Sequence, residues 1–405
     1  MTDHQIAKLI IGEEKRQKET LDLIASENYP SRAVRGALGS ILVAKYAEGR
    51  PYKRYYGGME NVDKLETLVG ERAFLAFGLD PKKWSVNLQP LSGAPANYEI
   101  LRGLLNFGDK ILCLHLPHGG HLSQGARASL TGQDFKPVYY YLGKDGFLDY
   151  EEIDRLAKKE KPKLIITGYT AYPRKIDFKK FGEIARKVGA YLLADTSHIT
   201  GLIIGGIHPS PFPWADVLMT TTHKTLRGPR GAMIICRKEL EQKIFPKVFP
   251  GLQGGPHMHT IAAIGVALKE TMSPGFKRYA EQIVKNARVL ASGLKKYGFN
   301  LISDGTDNHL ILVDLRNKNI TGKPTQELLE KAGIVTNRNT IPYDPRTPYD
   351  PSGIRLGTPA LTTRGMKEKE MKLIAGWINE VINNPTKAGV VKKEIQKLCR
   401  KFPLP

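Results

Sequence analysis

Lys224 stands at the exit of an apolar run, after Thr220-Thr221-Thr222-His223 and before Thr225-Leu226-Arg227-Gly228-Pro229-Arg230-Gly231. Small and hydroxyl residues around a lysine at a strand exit keep it from ranging through solvent. Partial desolvation there favours the neutral amine, which attacks an aldehyde. Taken singly, a lysine after a strand is usually solvated or snorkelling. Asp195 changes that weighting. It ends the run Tyr191-Leu-Leu-Ala-Asp, at the carboxyl edge of an expected parallel strand, where open α/β sheets bind ligands. A carboxylate in Asp-Thr-Ser is often a helix cap, but with Lys224 following it favours a ring partner. It can pair with the pyridine nitrogen of pyridoxal phosphate and keep it protonated, making the ring an electron sink. His198 is placed to orient that ring or its 3′-oxygen.

Four other segments carry weaker signals. Ser92-Gly93-Ala94-Pro95-Ala96-Asn97 precedes a helix expected from about Tyr98 to Leu105, and backbone N–H groups at such a start bind phosphate. Turns of this kind also open many helices that bind nothing. His118-Gly119-Gly120-His121-Leu122 holds two histidines but no third metal ligand, so an imidazole stacked on an aromatic ring is the better functional reading, and local hydrogen bonding the plainer one. Lys45-Tyr46-Ala47-Glu48-Gly49 and Lys53-Arg54-Tyr55-Tyr56-Gly57-Gly58 read as an interface loop, a proton-carrying Glu48, or both. Ser352-Gly353-Ile354-Arg355 offers a guanidinium that can fork onto an amino-acid carboxylate, although a lone arginine more often makes a surface ion pair.

The elements that must position these residues follow from the patterning. Short apolar runs at Lys110-Ile-Leu-Cys-Leu, Lys163-Leu-Ile-Ile-Thr, Tyr191-Leu-Leu-Ala-Asp and Asp216-Val-Leu-Met-Thr alternate with helical segments such as Tyr150 to Glu160 and Phe178 to Val188. That alternation predicts a three-layer α/β/α domain with a mostly parallel sheet. Residues 1–40 read as an amphipathic helix and arm, 41–272 as the large domain, and 273–405 as a smaller α+β domain beginning after Met272-Ser-Pro-Gly. The small domain is expected to contain a long helix from Phe276 to Tyr297, the strand His309-Leu-Ile-Leu-Val-Asp, and a helix through Trp377 and Val381.

Composition bounds the rest. A chain of 405 residues is long enough for two or three domains. No stretch reaches the roughly 18 apolar residues of a membrane helix, and Met1-Thr-Asp-His-Gln-Ile is not a secretory signal. Cys113, Cys236 and Cys399 suggest neither disulfides nor zinc, and a cytoplasmic setting fits them best. The net charge of +21 is spread through mixed-sign runs such as Lys367-Glu368-Lys369-Glu370, so a solvated surface is favoured over a nucleic-acid or membrane partner.

Together these segments resemble serine hydroxymethyltransferase, a pyridoxal-phosphate enzyme of the aspartate-aminotransferase-like fold (fold type I). The resemblance rests on an ordered set: Leu23-Ile-Ala-Ser-Glu-Asn-Tyr, Lys45-Tyr-Ala-Glu-Gly, Arg54-Tyr-Tyr-Gly-Gly, His118-Gly-Gly-His-Leu, Thr221-Thr-His-Lys-Thr-Leu, Gly228-Pro-Arg-Gly-Ala, Phe249-Pro-Gly-Leu-Gln-Gly-Gly-Pro, Thr306-Asp-Asn-His-Leu and Ser352-Gly-Ile-Arg. It implies transfer of the serine hydroxymethyl carbon to tetrahydrofolate, or to a modified pterin, leaving glycine. Lys224 would bond the cofactor, Asp195 face its pyridine nitrogen and His121 stack on its ring. His198 and Thr170 would contact the ring oxygen, and His223 would tune reaction specificity. Ser92, Gly93, Ala94 and Thr221 fall at the cofactor's phosphate side. Ser31 and Arg355 would hold the substrate carboxylate, with Tyr46 and Arg230 beside it. Glu48, Tyr56 and the backbone at Gly254 and Gly255 would come from the neighbouring subunit of a homodimer, with a tetramer possible. Leu116, Gly120, His121, Leu122 and Asn339 would meet the folate. Ala94 departs from the family, where a hydroxyl residue commonly binds the phosphate; the departure predicts weaker cofactor retention. A threonine-type aldolase on the same fold, and a basic RNA-binding relative that has lost catalysis, are the rival readings.

Overall fold

The computed structural model describes residues 3–405. The chain divides into two compact units, one spanning Pro30–Glu281 and the other formed by the residues up to Tyr29 with Gln282–Pro405.

In the Pro30–Glu281 unit, seven strands form one sheet: β1 (Trp84–Asn87), β2 (Lys110–Leu114), β3 (Lys136–Tyr140), β4 (Leu164–Thr167), β5 (Tyr191–Asp195), β6 (Val217–Thr221) and β7 (Ala232–Arg237). Their spatial order is β1-β7-β6-β5-β4-β2-β3. The run from β3 to β6 is parallel throughout, and β7 lies antiparallel to both of its neighbours. This is the mostly parallel three-layer architecture expected from the patterning. Strands covered on both faces read as continuous apolar runs rather than alternating ones, and every residue of β4 and of β6 is buried.

Helices Tyr150–Glu160 and Phe178–Val188 fall where the periodicity puts them. Each starts at an aspartate whose carboxylate accepts backbone N–H bonds: Asp149 from Glu151 and Glu152, Asp177 from Lys180. The helix expected from about Tyr98 instead begins at Gly93 and runs to Leu104. Glycine and proline weigh against helix in a sequence reading, yet Pro95 lies in the first turn, where its missing N–H forfeits no bond. The early start matters, because it brings the helix N-terminus to the sheet edge. Ala96, Ile100 and Leu101 of this helix pack with Ile111, Leu164, Leu193, Val217 and Met219 of the sheet.

The second unit is built on a four-stranded antiparallel sheet ordered Asn300–Leu301, Leu310–Asp314, Gly353–Gly357, Asn337–Asn339. Helices Gly322–Lys331, Glu368–Asn383 and Ala388–Lys401 accompany it. Leu21–Asp22 pairs in parallel with Ile334–Val335. Leu21 and Leu23 enter the same core as Ile311, Ile354, Ile374 and Ile395, which is why the N-terminal segment belongs to this unit. Among the described residues no helix is long and apolar enough to cross a membrane.

Candidate active site

In a parallel sheet the carboxyl ends of all strands lie on one edge. Here β4 leads into Gly168-Tyr169-Thr170, β5 into Thr196-Ser197-His198, and β6 into Thr222-His223-Lys224. A cleft of about 280 Å3 opens there, lined by Gly93, His121, Ser123, Gln124, Tyr169, Thr170, Asp195, Ser197, His198, Met219, Thr221 and Lys224. The expected Lys224, Asp195, His121, His198, Thr170, Thr221 and Gly93 therefore meet in one place.

Asp195 is buried, and four donors converge on its carboxylate. Oδ1 accepts from Ser197 Oγ at 2.6 Å and Ser197 N at 3.2 Å; Oδ2 accepts from Gln124 Nε2 at 2.8 Å and Asn97 Nδ2 at 3.1 Å. The carboxylate is thus held in one rotamer at the cleft wall. Gly168 allows this geometry: its φ is +107°, and a Cβ there would lie 1.8 Å from the Asp195 carbonyl oxygen. Asn97 also donates to Ser123 Oγ at 2.9 Å, and Ser123 Oγ lies 2.8 Å from His121 Nδ1. One hydrogen-bonded relay therefore orients both Asp195 and His121. His198 is buried, and its carbonyl accepts from Thr225 Oγ1 at 2.9 Å. Thr170 is anchored by its N–H to the Gly119 carbonyl at 2.8 Å.

Lys224 is 8% exposed, and its carbonyl accepts from Arg227 N at 3.0 Å. Beside it, His223 Nε2 sits 2.9 Å from Arg230 Nη1. Burial, reinforced by the charges of Lys224 and Arg230, pushes the His223 pKa down to about 3, so this imidazole is neutral at physiological pH.

Ser92 precedes the helix Gly93–Leu104, whose first residue lines the cleft, without capping it through its side chain. The first-turn N–H groups there lack a side-chain acceptor. Thr221, whose methyl would lie 2.7 Å from a Cβ on Gly93, has its hydroxyl buried with no hydrogen-bond partner. An uncapped helix N-terminus beside a solitary buried hydroxyl is a donor set fitted to an anion. Ala94 is exposed and does not line the cleft.

Tyr46, Glu48, Tyr56, Gly254 and Gly255 do not line it either. The first three form a cluster of their own with the two glycines. Tyr46 Oη donates to Glu48 Oε1 at 3.2 Å, and the Tyr46 and Tyr56 rings meet edge-on at 5.2 Å. A Cβ on Gly254 would lie 3.1 Å from Glu48 Oε1, and one on Gly255 3.3 Å from the Tyr46 ring. Ser31 caps the helix Arg32–Leu38 by accepting from Val34 N at 3.2 Å and donates to Glu270 Oε1 at 2.5 Å. Leu116 and Leu122 are exposed on two short 3₁₀ turns flanking the buried Gly120.

Arg355 and Asn339 lie in the other unit, on adjacent strands of its sheet. Arg355 is 6% exposed, and its Nε donates to Asn337 Oδ1 at 3.2 Å. Burial lowers its pKa to about 10, which leaves it cationic at neutral pH. Asn339 Nδ2 donates to the Thr340 carbonyl at 2.7 Å.

Sequence reasoning missed Gln124 and Asn97, the two amides that hold Asp195. Asn97 follows the Ser92-Gly93 turn by one helical turn, and Gln124 follows His121 by three residues. Both spacings put an amide on the cleft side, and that is the signal available.

The family model described as serine hydroxymethyltransferase matches residues 1–378. Curated serine hydroxymethyltransferases of Desulfotalea psychrophila, Acidothermus cellulolyticus and Sorangium cellulosum are each 52% identical over 100% of this chain, covering 95%, 96% and 95% of their own lengths.

Proposed function

This chain belongs to the serine hydroxymethyltransferase family, and from that premise we propose how its own residues carry the family's reaction. The reaction interconverts serine and tetrahydrofolate with glycine and 5,10-methylenetetrahydrofolate. A full-length match favours this reading over a threonine-type aldolase or an RNA-binding relative.

The observation that carries the assignment is the meeting of Lys224 and Asp195 in one cleft, with the uncapped helix N-terminus at Gly93. That donor set fits pyridoxal phosphate. Lys224 would bond it, Asp195 would pair with its pyridine nitrogen, His121 would stack on its ring, and His198 and Thr170 would contact its ring oxygen. Ser92, Gly93, Ala94 and Thr221 would surround its phosphate through backbone N–H groups and the Thr221 hydroxyl. When bound, the cofactor supplies an electron sink for the electrons released at Cα.

Arg355, cationic at neutral pH, would fork onto the substrate carboxylate. His223, neutral beside Lys224, would hold the substrate side of the site without adding a competing charge, and Arg230 would fix its ring. Ser31 would join the carboxylate site on exchanging its Glu270 contact for substrate. Glu48 would move the proton of the hydroxymethyl group, with Tyr46 donating to its carboxylate. Leu116, Gly120, Leu122 and Asn339 would receive the folate; a modified pterin is the other carrier this site class would take.

Glu48, Tyr56, Gly254 and Gly255 would serve the cleft of a neighbouring subunit in a homodimer. The cluster's separation from the cleft residues supports this, as does a run of exposed apolar side chains near it: Ile41 at 85%, Tyr52 at 69% and Tyr55 at 76%.

Borohydride reduction of the pyridoxal-phosphate-loaded protein, followed by peptide mass spectrometry, tests the central assignment. A phosphopyridoxyl mass on the Lys224 peptide is expected, together with tetrahydrofolate-dependent conversion of serine to glycine. Labelling of a different lysine would overturn the assignment. Conversion supported only by a modified pterin would replace tetrahydrofolate as the carrier.

A further inference from the structure

We propose that Arg54 is a positioning residue for Glu48, an inference that rests on the reading of Glu48 as the proton carrier. The Arg54 side chain is 2% exposed. Its Nη1 donates to the carbonyl oxygens of Ala47 at 2.9 Å and Gly49 at 2.7 Å, the two residues on either side of Glu48. Its other nitrogens are anchored on the helix Glu60–Phe77: Nε donates to Asp63 Oδ1 at 2.9 Å and Nη2 to Glu66 Oε2 at 2.5 Å.

Further bonds close the frame. Gln89 Nε2 donates to the Gly49 carbonyl at 3.0 Å and to Glu66 Oε1 at 2.9 Å. The Glu48 carbonyl accepts from Tyr55 N at 3.1 Å. Gly49, at φ +98°, faces Arg54 in a two-residue antiparallel pairing, and a Cβ there would lie 2.4 Å from the Lys53 carbonyl oxygen. The backbone carbonyls of residues 47, 48 and 49 are therefore all held, while the Glu48 side chain stays half-exposed. The carboxylate projects from a fixed base.

Only a guanidinium can do this. Its planar fork reaches two carboxylates and two carbonyls at once and never loses its charge, whereas lysine offers a compact point charge. A carboxylate that must meet a substrate proton is sensitive to position, and a displacement of about 1 Å costs on the order of 100-fold in rate.

A double-mutant cycle in the loaded enzyme separates positioning from ordinary structural support. R54K is expected to lower kcat by about tenfold or more with little change in KM for serine. In an E48Q background the same R54K change is expected to cost less than about twofold, because nothing remains to be positioned. Amide exchange at Tyr55 should quicken in R54K while that of Leu193 in the sheet stays unchanged. Q89L removes one of the two donors to the Gly49 carbonyl; it should give a smaller loss that also vanishes in E48Q, and it serves where R54K does not fold. Equal kcat losses in the wild-type and E48Q backgrounds, or unaltered Tyr55 exchange, would overturn this inference alone. An E48Q enzyme with full kcat would overturn the Glu48 reading and this inference with it.

Discussion

Arg230 donates from Nη1 to Nε2 of His223 across 2.9 Å. A guanidinium has no acceptor and keeps its charge, so Nε2 must present its lone pair and Nδ1 must carry the ring proton. That Nδ1 is buried with no hydrogen-bond partner, and the pKa lies near 3 through burial and the two neighbouring cations. Nitrogen-15 spectra should therefore show a single Nδ1–H tautomer for His223 that does not titrate down to pH 5. R230Q removes one cation and the fixed donor, so the pKa should rise and the tautomers mix. A His223 resonance that protonates near pH 6 in the wild-type protein would contradict this assignment.

Gln124 makes the shorter of the two amide bonds to Asp195 Oδ2, at 2.8 Å. Replacing it with leucine deletes a hydrogen bond to a charged group, worth roughly 1.5 to 3 kcal/mol, and frees the carboxylate to rotate. Q124L should weaken pyridoxal-phosphate binding by about tenfold in a fluorescence titration of the apo-protein. N97A should do the same and additionally loosen His121 through Ser123. Unchanged affinity in both variants would remove the relay from the cofactor site.

The missing hydroxyl at Ala94 and the solitary Thr221 hydroxyl make a paired prediction. Thr221 Oγ1 is buried without a partner, and Thr221 lines the same cleft as Gly93, so it is available to a phosphate bound there. T221V should cost about tenfold in cofactor affinity, the value of one charge-assisted hydrogen bond. Because Ala94 is exposed and does not line the cleft, A94S should change binding far less than T221V does, alone or in the T221V background. A change with A94S as large as that with T221V would contradict this placement of Ala94.

What could be read from the sequence divides along a physical line. Lys224 and Asp195 were legible because each stands at the end of an apolar run, and a parallel sheet sends the ends of all such runs to one edge; Thr170 came only with the family resemblance. The helix start at Gly93 was hidden by residues that disfavour helix yet suit its first turn. Asn97, Gln124 and Arg54 act through hydrogen bonds made across the fold, which leave no periodicity. The pairing of Leu21–Asp22 with Ile334–Val335 is two residues long and joins distant parts of the chain. Its only local trace is the apolar Leu21 and Leu23. The last helix, Ala388–Lys401, lies beyond Asn383-Asn384-Pro385, which reads as an ending.

Glu99 gives the clearest pH prediction. It lies on the helix Gly93–Leu104, fully buried, and neither carboxyl oxygen has a hydrogen-bond partner. Burial alone raises its pKa from 4.5 to about 8. Between those values the folded protein binds a proton that the unfolded chain has released, so stability declines as pH rises across that window. Below it both states are protonated and no ionisation cost arises; above it the cost is complete, on the order of 5 kcal/mol for a shift of this size. Asp22, raised to about 7 by burial and by Glu27, acts in the same direction. His223 acts oppositely and at lower pH, because a depressed imidazole favours the fold as pH rises from about 3 to 6.5. E99L removes the carboxyl and keeps an apolar side chain of similar reach in an apolar setting. Its stability over wild type, followed by urea unfolding, should be small at pH 5, grow up to about pH 8 and level off above it. A pH-independent difference would mean that Glu99 is ionised in the fold at neutral pH, with a cation or water holding it there.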